Sequence, residues 1–139
     1  MKYYKIHEFQ GWYYNLNPVL KIKLDDLRDE WKTKIYISSA PGAVGRHLGP
    51  NNLSQHNIDK WPTVNAVDVL PNGLENVSDA YRFFKLAKKV GFTGIGFYPF
   101  WRPYPGFHLD VRATDIVATW GSIEVGEYVG IQTAFNAVT

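Results

Sequence analysis

Three observations predict an α+β domain built on a small, mostly antiparallel sheet with two main helices. Two stretches carry apolar residues at helical spacing, and several short runs have the length and composition of strands. A long glycine- and proline-rich segment separates the first strand from the next. No internal repeat or low-complexity tract interrupts the chain, and 139 residues suit one domain, 1–139, with one core.

The first clear element is a helix from Asn17 to Trp31. Asn17 is a favourable N-cap, Pro18 suits the first helical position, and Leu20, Leu24, Leu27 and Trp31 fall on one face. Lys34 to Ser38 reads as a buried strand with Ile35 and Ile37 on one side. From Ser39 to Val64 the residues Pro41, Gly42, Gly45, Gly49, Pro50, Asn51, Asn52 and Pro62 break any regular pattern. A loop of that length in a small domain is usually functional or disordered. It contains Ser54 and His56, so the functional reading is preferred.

Asn65 to Leu70 is the next strand, and Pro71-Asn72-Gly73 turns out of it. Ser78 is expected to cap a second helix that runs to Val90, with Ala80, Phe83, Phe84, Ala87 and Val90 facing inward and Gly91 ending it. Gly94 to Tyr98 and Phe107 to Val111 read as hairpin partners around the loop Pro99 to Gly106. The tail after Thr114 carries no clear pattern. Helices beside a mostly antiparallel sheet make the class α+β.

Composition narrows the function classes. A 45% hydrophobic and 20% charged chain is ordinary for a soluble globular protein. A net charge of +2 gives no ground for nucleic-acid binding, though it is compatible with an anionic polymer such as a cell wall. The absence of cysteine excludes disulfides and thiolate-held zinc, so any metal must be held by histidine and carboxylate. Met1 to Lys5 is followed by no apolar run long enough for a signal peptide, and no transmembrane run is present. The expectation is a protein made in the cytoplasm without a leader.

Two segments hold the chemistry: Ser54-Gln55-His56 leading to Asp68, and Gly106-Phe107-His108-Leu109-Asp110-Val111-Arg112. Two histidines and a carboxylate in the order His, Asp, His suit Zn²⁺ with one position left for water. Alternate residues of a strand share a face, so Val67 and Val69 point to the core while Ala66 and Asp68 point away. By the same rule His108 and Asp110 share a face. Two strands can thus present Asp68 and His108 toward one point, with His56 arriving from the loop. This pattern reads as a zinc hydrolase. The stiff aromatic loop Tyr98-Pro99-Phe100-Trp101-Arg102-Pro103-Tyr104 suggests one wall of a peptide cleft, with Tyr98 and Trp101 against substrate; packing over the sheet is the alternative.

These motifs resemble those of the zinc D-alanyl-D-alanine carboxypeptidase family of peptidoglycan peptidases, in particular its short phage and bacterial members. Ser54-Gln55-His56 with Ala66-Val67-Asp68 matches the family's Ser-x-His and Ala-x-Asp. Gly94-Ile95-Gly96-Phe97-Tyr98 with His108-Leu109-Asp110 matches its Gly-x-Gly-x-Tyr strand and closing His-x-Asp. His7-Glu8-Phe9 and Leu24 to Arg28 resemble its opening, so the likeness covers roughly residues 6 to 121. It implies Zn²⁺ on His56, Asp68 and His108, and hydrolysis of peptide bonds in peptidoglycan stem peptides. A lysin or wall-remodelling enzyme would meet the wall after release or as part of a virion.

The chain departs from the family in three places. Asp68 follows His56 by twelve residues, a longer interval than usual, and the extra residues include Trp61 and Pro62. Pro105 stands where many members carry an acidic general base, and Gly106 where some relatives carry a histidine. Ser38-Ser39-Ala40-Pro41 replaces a Tyr-Arg pair, leaving Arg46 as the nearest cation for a substrate carboxylate or a developing oxyanion. Because it shares a strand face with His108, Asp110 is the best-placed general base by sequence, with orientation of a ligand histidine as its other role in equal measure. Glu8, Asp115 and Glu124 are further candidates. Ser54 is expected to bond a ligand or close the loop, and His7 and His47 to be structural or surface residues. A non-catalytic wall-binding or virion module on the same fold is the competing reading.

Overall fold

The computed structural model describes residues 1–138. Two short 3₁₀ turns, Ile6–Phe9 and Tyr13–Asn15, lead into helix α1 (Pro18–Trp31). The Asn17 side chain accepts a hydrogen bond from the Val19 amide at 2.9 Å, which satisfies one of the donors left free at a helix start. Strand β1 (Ile35–Ile37) is shorter than its sequence pattern, because the chain turns after Ile37 into the long loop. Strand β2 (Ala66–Pro71) is buried along its whole length.

Helix α2 spans Val77–Val90. Its cap is Asn76 rather than Ser78, two residues earlier: the Asn76 side chain accepts from the Asp79 amide at 2.9 Å. Ala80, Phe83, Phe84 and Ala87 are buried as expected, while Val90 is half-buried. Gly91 ends the helix at φ 105°, a left-handed conformation that favours glycine. Strands β3 (Gly94–Tyr98) and β4 (Gly106–Asp110) form the expected hairpin.

The unassigned tail folds into β5 (Ala118–Glu124), β6 (Glu127–Val129) and a short helix α3 (Ile131–Phe135). Six strands form one sheet in the order β1-β2-β4-β3-β5-β6, antiparallel except for the parallel pairing of β3 with β5. The fold is thus α+β with a mostly antiparallel sheet and, among the described residues, three α-helices.

One face of the sheet packs on the helices through aromatic rings. Trp31 of α1 meets Phe83 of α2 edge-on at 5.1 Å, and Phe83 meets Phe107 of β4 at 4.6 Å. Phe97 of β3 joins Phe107 at 4.7 Å to Phe135 of α3 at 5.2 Å. Val67, Val69, Ile95 and Leu109 are buried in the same core. Because side chains alternate along a strand, the opposite face receives Asp68, His108 and their neighbours. The register lines them up: Asp68 lies opposite His108, His108 opposite Gly96, and Gly96 opposite Trp120. One row across four strands holds the site.

Candidate metal centre

His56 comes from the long loop, and the loop is not slack. The Arg46 amide donates to the His56 carbonyl at 2.9 Å, and the Ile58 amide donates to the Arg46 carbonyl at 3.0 Å, a short parallel bridge on either side of the ligand. The fully buried Asn57 side chain accepts from the amides of Leu48 and Asp59 and donates to the carbonyls of Gly49 and Asn52. Ser54 Oγ accepts from the His56 amide at 3.3 Å, and its carbonyl accepts from the Trp61 indole at 2.9 Å. Ser54 therefore closes the turn that presents His56, as one of its expected roles required. Trp61, from the extra residues before Asp68, braces that same turn.

His56 Nε2, His108 Nδ1 and Asp68 Oδ1 converge. The two nitrogens are 3.2 Å apart, and Asp68 Oδ1 lies 3.2 Å from one and 3.3 Å from the other. All three residues are buried. The groups behind the rings decide which nitrogen carries the proton. His56 Nδ1 lies 2.6 Å from the Val44 carbonyl, which can only accept, so this nitrogen donates. His108 Nε2 lies 2.7 Å from Asp110 Oδ2 and donates to it. Each ring is left with a lone pair aimed at Asp68 Oδ1, itself a buried oxygen with no hydrogen-bond partner. Three lone pairs facing one point repel unless a cation lies between them.

The group can hold a metal ion. Donor atoms about 2.0–2.1 Å from a tetrahedral centre stand about 3.3–3.4 Å from each other, close to the separations found here. Protons compete for the same point. Burial alone would lower the His108 pKa, but Asp110 and Asp68 outweigh it and raise the pKa from its ordinary value. Burial would likewise raise Asp68, yet contact with His108 and His56 holds its carboxyl down at about 2.

Asp110 is not where a general base would stand. Its side chain is fully buried, and it does not line the cleft that contains the convergent atoms. Arg112 grips the carboxylate at both oxygens, Nε to Oδ1 at 2.9 Å and the terminal nitrogen to Oδ2 at 2.6 Å, while His108 uses Oδ2 as well. Although burial pushes the Asp110 carboxyl up, Arg112 and His108 hold it well below the usual carboxylate range. Sharing a strand face with His108 turned it behind the ring instead of beside the metal point. Glu8 is spent on its own Lys5 amide, and Asp115 and Glu124 are exposed and outside the cleft. His47 pairs with Asp59 at the surface and His7 is exposed, as expected.

The cleft over the site has a volume of about 790 Å³. Arg46, Tyr98 and Trp101 line it. A terminal nitrogen of Arg46 lies 3.6 Å from Asp68 Oδ2, and Arg46 Nε donates to the Gly42 carbonyl at 2.6 Å. Tyr98 and Trp101 stack face to face at 4.2 Å. Sequence reasoning missed Arg112, Trp120, Tyr128 and the Val44 carbonyl. Only Trp120 had a signal, Gly96, where a Cβ would overlap the indole; at Gly94 a Cβ would overlap the Asp110 carboxylate.

No protein-family model, no curated protein and no solved structure matches this chain. Among the described residues no helix is long and apolar enough to cross a membrane.

Proposed function

We propose that the protein is a zinc-dependent peptidase that hydrolyses peptide bonds in peptidoglycan stem peptides, as a lysin or wall-remodelling enzyme. The observation that carries the reading is the set of three buried lone pairs, His56 Nε2, His108 Nδ1 and Asp68 Oδ1, turned on one point by the groups behind them. Two imidazoles and a carboxylate are a donor set suited to zinc with a position left open, and the strands that carry two of them hold it rigidly. Zinc in such a site polarises a carbonyl and acidifies water. The likeness of the Ser-x-His, Ala-x-Asp and His-x-Asp motifs to wall peptidases supports the substrate class.

The chain's own residues supply the rest. Asp110 and Arg112 fix the His108 ring so that Nδ1 faces the cleft. Arg46 neutralises the outer oxygen of Asp68 and offers its remaining N–H groups to a substrate carboxylate. The Tyr98–Trp101 stack gives the peptide an apolar wall.

A second reading, a metal-holding but non-catalytic wall-binding or virion module, is favoured by one observation. Among the described residues, no carboxylate besides Asp68 lines the cleft. Elemental analysis followed by incubation with purified peptidoglycan separates the two. The enzyme is expected to carry about one zinc per chain, lost in His56→Ala and His108→Ala, since three protein ligands make a complete set. It is expected to release free amine and carboxyl ends without reducing sugar, with activity abolished by chelator and restored by Zn²⁺. Unchanged metal content in both variants sinks the site. Zinc without any cleavage leaves the module.

A further inference from the structure

We infer that Tyr98 is a catalytic residue: its phenolic O–H donates a hydrogen bond to the scissile carbonyl oxygen as that oxygen becomes an oxyanion. The role rests on the peptidase reading above and goes beyond it. Trp120 Nε1 lies 2.7 Å from the Tyr98 hydroxyl. An indole N–H can only donate, so the Tyr98 oxygen accepts and its own hydrogen is left for another partner. Among the described residues no group accepts that hydrogen. Tyr98 lines the same cleft as Asp68 and His108, so its unspent donor is within the site a substrate would fill.

The donor is held in place before any substrate arrives. Trp101 lies flat on the Tyr98 ring at 4.2 Å with only 9° between planes. Trp120 is seated over Gly96, in the row that also contains His108, and its ring lies 5.0 Å from the His108 ring. A side chain at position 96 would occupy the indole's place. The Arg112 guanidinium, which grips Asp110 behind His108, lies over the Trp120 ring at 5.2 Å from its centroid. One packed set of side chains therefore orients both the ligand histidine and the tyrosine donor. Burial pushes the Tyr98 pKa up to about 12, so the hydroxyl keeps its proton throughout the neutral range.

A fixed donor aimed at developing negative charge lowers a barrier without reorganisation. The cleft's lack of a second carboxylate makes such electrophilic help more important, since basic assistance is scarce. In hydrolysis one water adds across the C–N bond, its oxygen ending in a carboxylate and its protons on the leaving nitrogen as an ammonium group. Tyr98 lends a hydrogen bond and ends with the proton it began with.

Tyr98→Phe tests the role, because it keeps the ring and the Trp101 stack and removes one oxygen. Zinc content is measured first, then turnover of a soluble stem peptide, then binding by calorimetry of that peptide's phosphinate analogue and of an uncleaved N-methylated peptide. Loss of one oxyanion donor typically lowers kcat by about 10²–10³-fold. The phosphinate, which mimics the tetrahedral state, should weaken by a comparable factor, while zinc content and binding of the N-methylated peptide stay within about twofold. Unchanged turnover and phosphinate affinity overturn the inference. So does a parallel loss of zinc and of both ligands, which marks Tyr98 as structural. If wild-type protein cleaves nothing and binds no phosphinate, the peptidase reading falls and takes this role with it. If wild-type protein does both and Tyr98→Phe matches it, the role of Tyr98 alone falls.

Discussion

At the scale of single residues, each histidine is made a one-sided ligand by what stands behind it. The Val44 carbonyl fixes His56 and the Asp110 carboxylate fixes His108, so neither ring has a choice of tautomer. Asp110 is the residue whose sequence position and spatial role diverge most. Lying behind His108 and clamped by Arg112, it would act on a metal held there through the ring it orients. Asp110→Asn is therefore expected to weaken zinc affinity by about 10–100-fold, with activity returning when zinc is raised. Zinc titration against turnover is the measurement. A loss of about 10²–10⁴-fold at full zinc occupancy is the signature of a general base and would contradict the geometry.

At the scale of elements, β3 and the 39–64 loop solve opposite problems. Strand β3 gives up side chains at Gly94 and Gly96 so that Asp110 and Trp120 can occupy the space beside His108. The loop has no regular ladder, so scattered backbone bonds and side chains together pair its polar groups. Asn57 contributes four hydrogen bonds from one buried amide. Asn57→Ala leaves two backbone amides and two carbonyls to find water. Leaving a buried polar group unpaired costs about 1–3 kcal/mol, so a fall in stability of at least that order is expected in chemical denaturation. Because His56 is the preceding residue, zinc affinity should fall as well. Amide exchange in residues 46–59 should rise more than in the strands. Uniform exchange across the molecule would mean that Asn57 does not stiffen the loop locally.

At the scale of the whole molecule, the ionisable groups of the site link stability to pH and metal. The Asp68 carboxyl is lowered from its ordinary value of 3.8 to about 2. A lowered carboxyl stabilises the fold above its unfolded pKa and ceases to do so as pH falls through its folded value. His108 is raised above 6.5, so its contribution is complete below that value and fades as pH rises through the raised one. The metal-free protein is therefore expected to lose stability in both directions, on the acid side from near pH 3.8 downward. Zinc needs His108 without a proton on Nδ1, so its stabilising effect should grow with rising pH. Melting curves with chelator and with zinc, at about pH 5 and about pH 8, check this. An equal zinc increment at both values would show that no ligand proton is displaced.

The elements that sequence alone determined are those whose cues are local. The α1 cap at Asn17, the apolar faces of α1 and α2, the β3–β4 hairpin and the alternation that turns Asp68 and His108 from the core all follow from neighbours a few residues apart. Asp68 and His108 were legible for the same reason, from residue type and strand parity, while His56 was legible only through the motif Ser54-Gln55-His56 in the long loop. Tertiary structure decided what depends on register between distant segments. Strand β5 pairs in parallel with β3, although β4 lies between them in sequence, and that pairing brings Trp120 over Gly96 to Tyr98. Sequence placed His108 and Asp110 on one face but could not say whether the carboxylate faced the cleft or the back of the ring. The contact with Arg112 and the space left by Gly94 settle that direction, because a buried carboxylate lies where its charge is compensated.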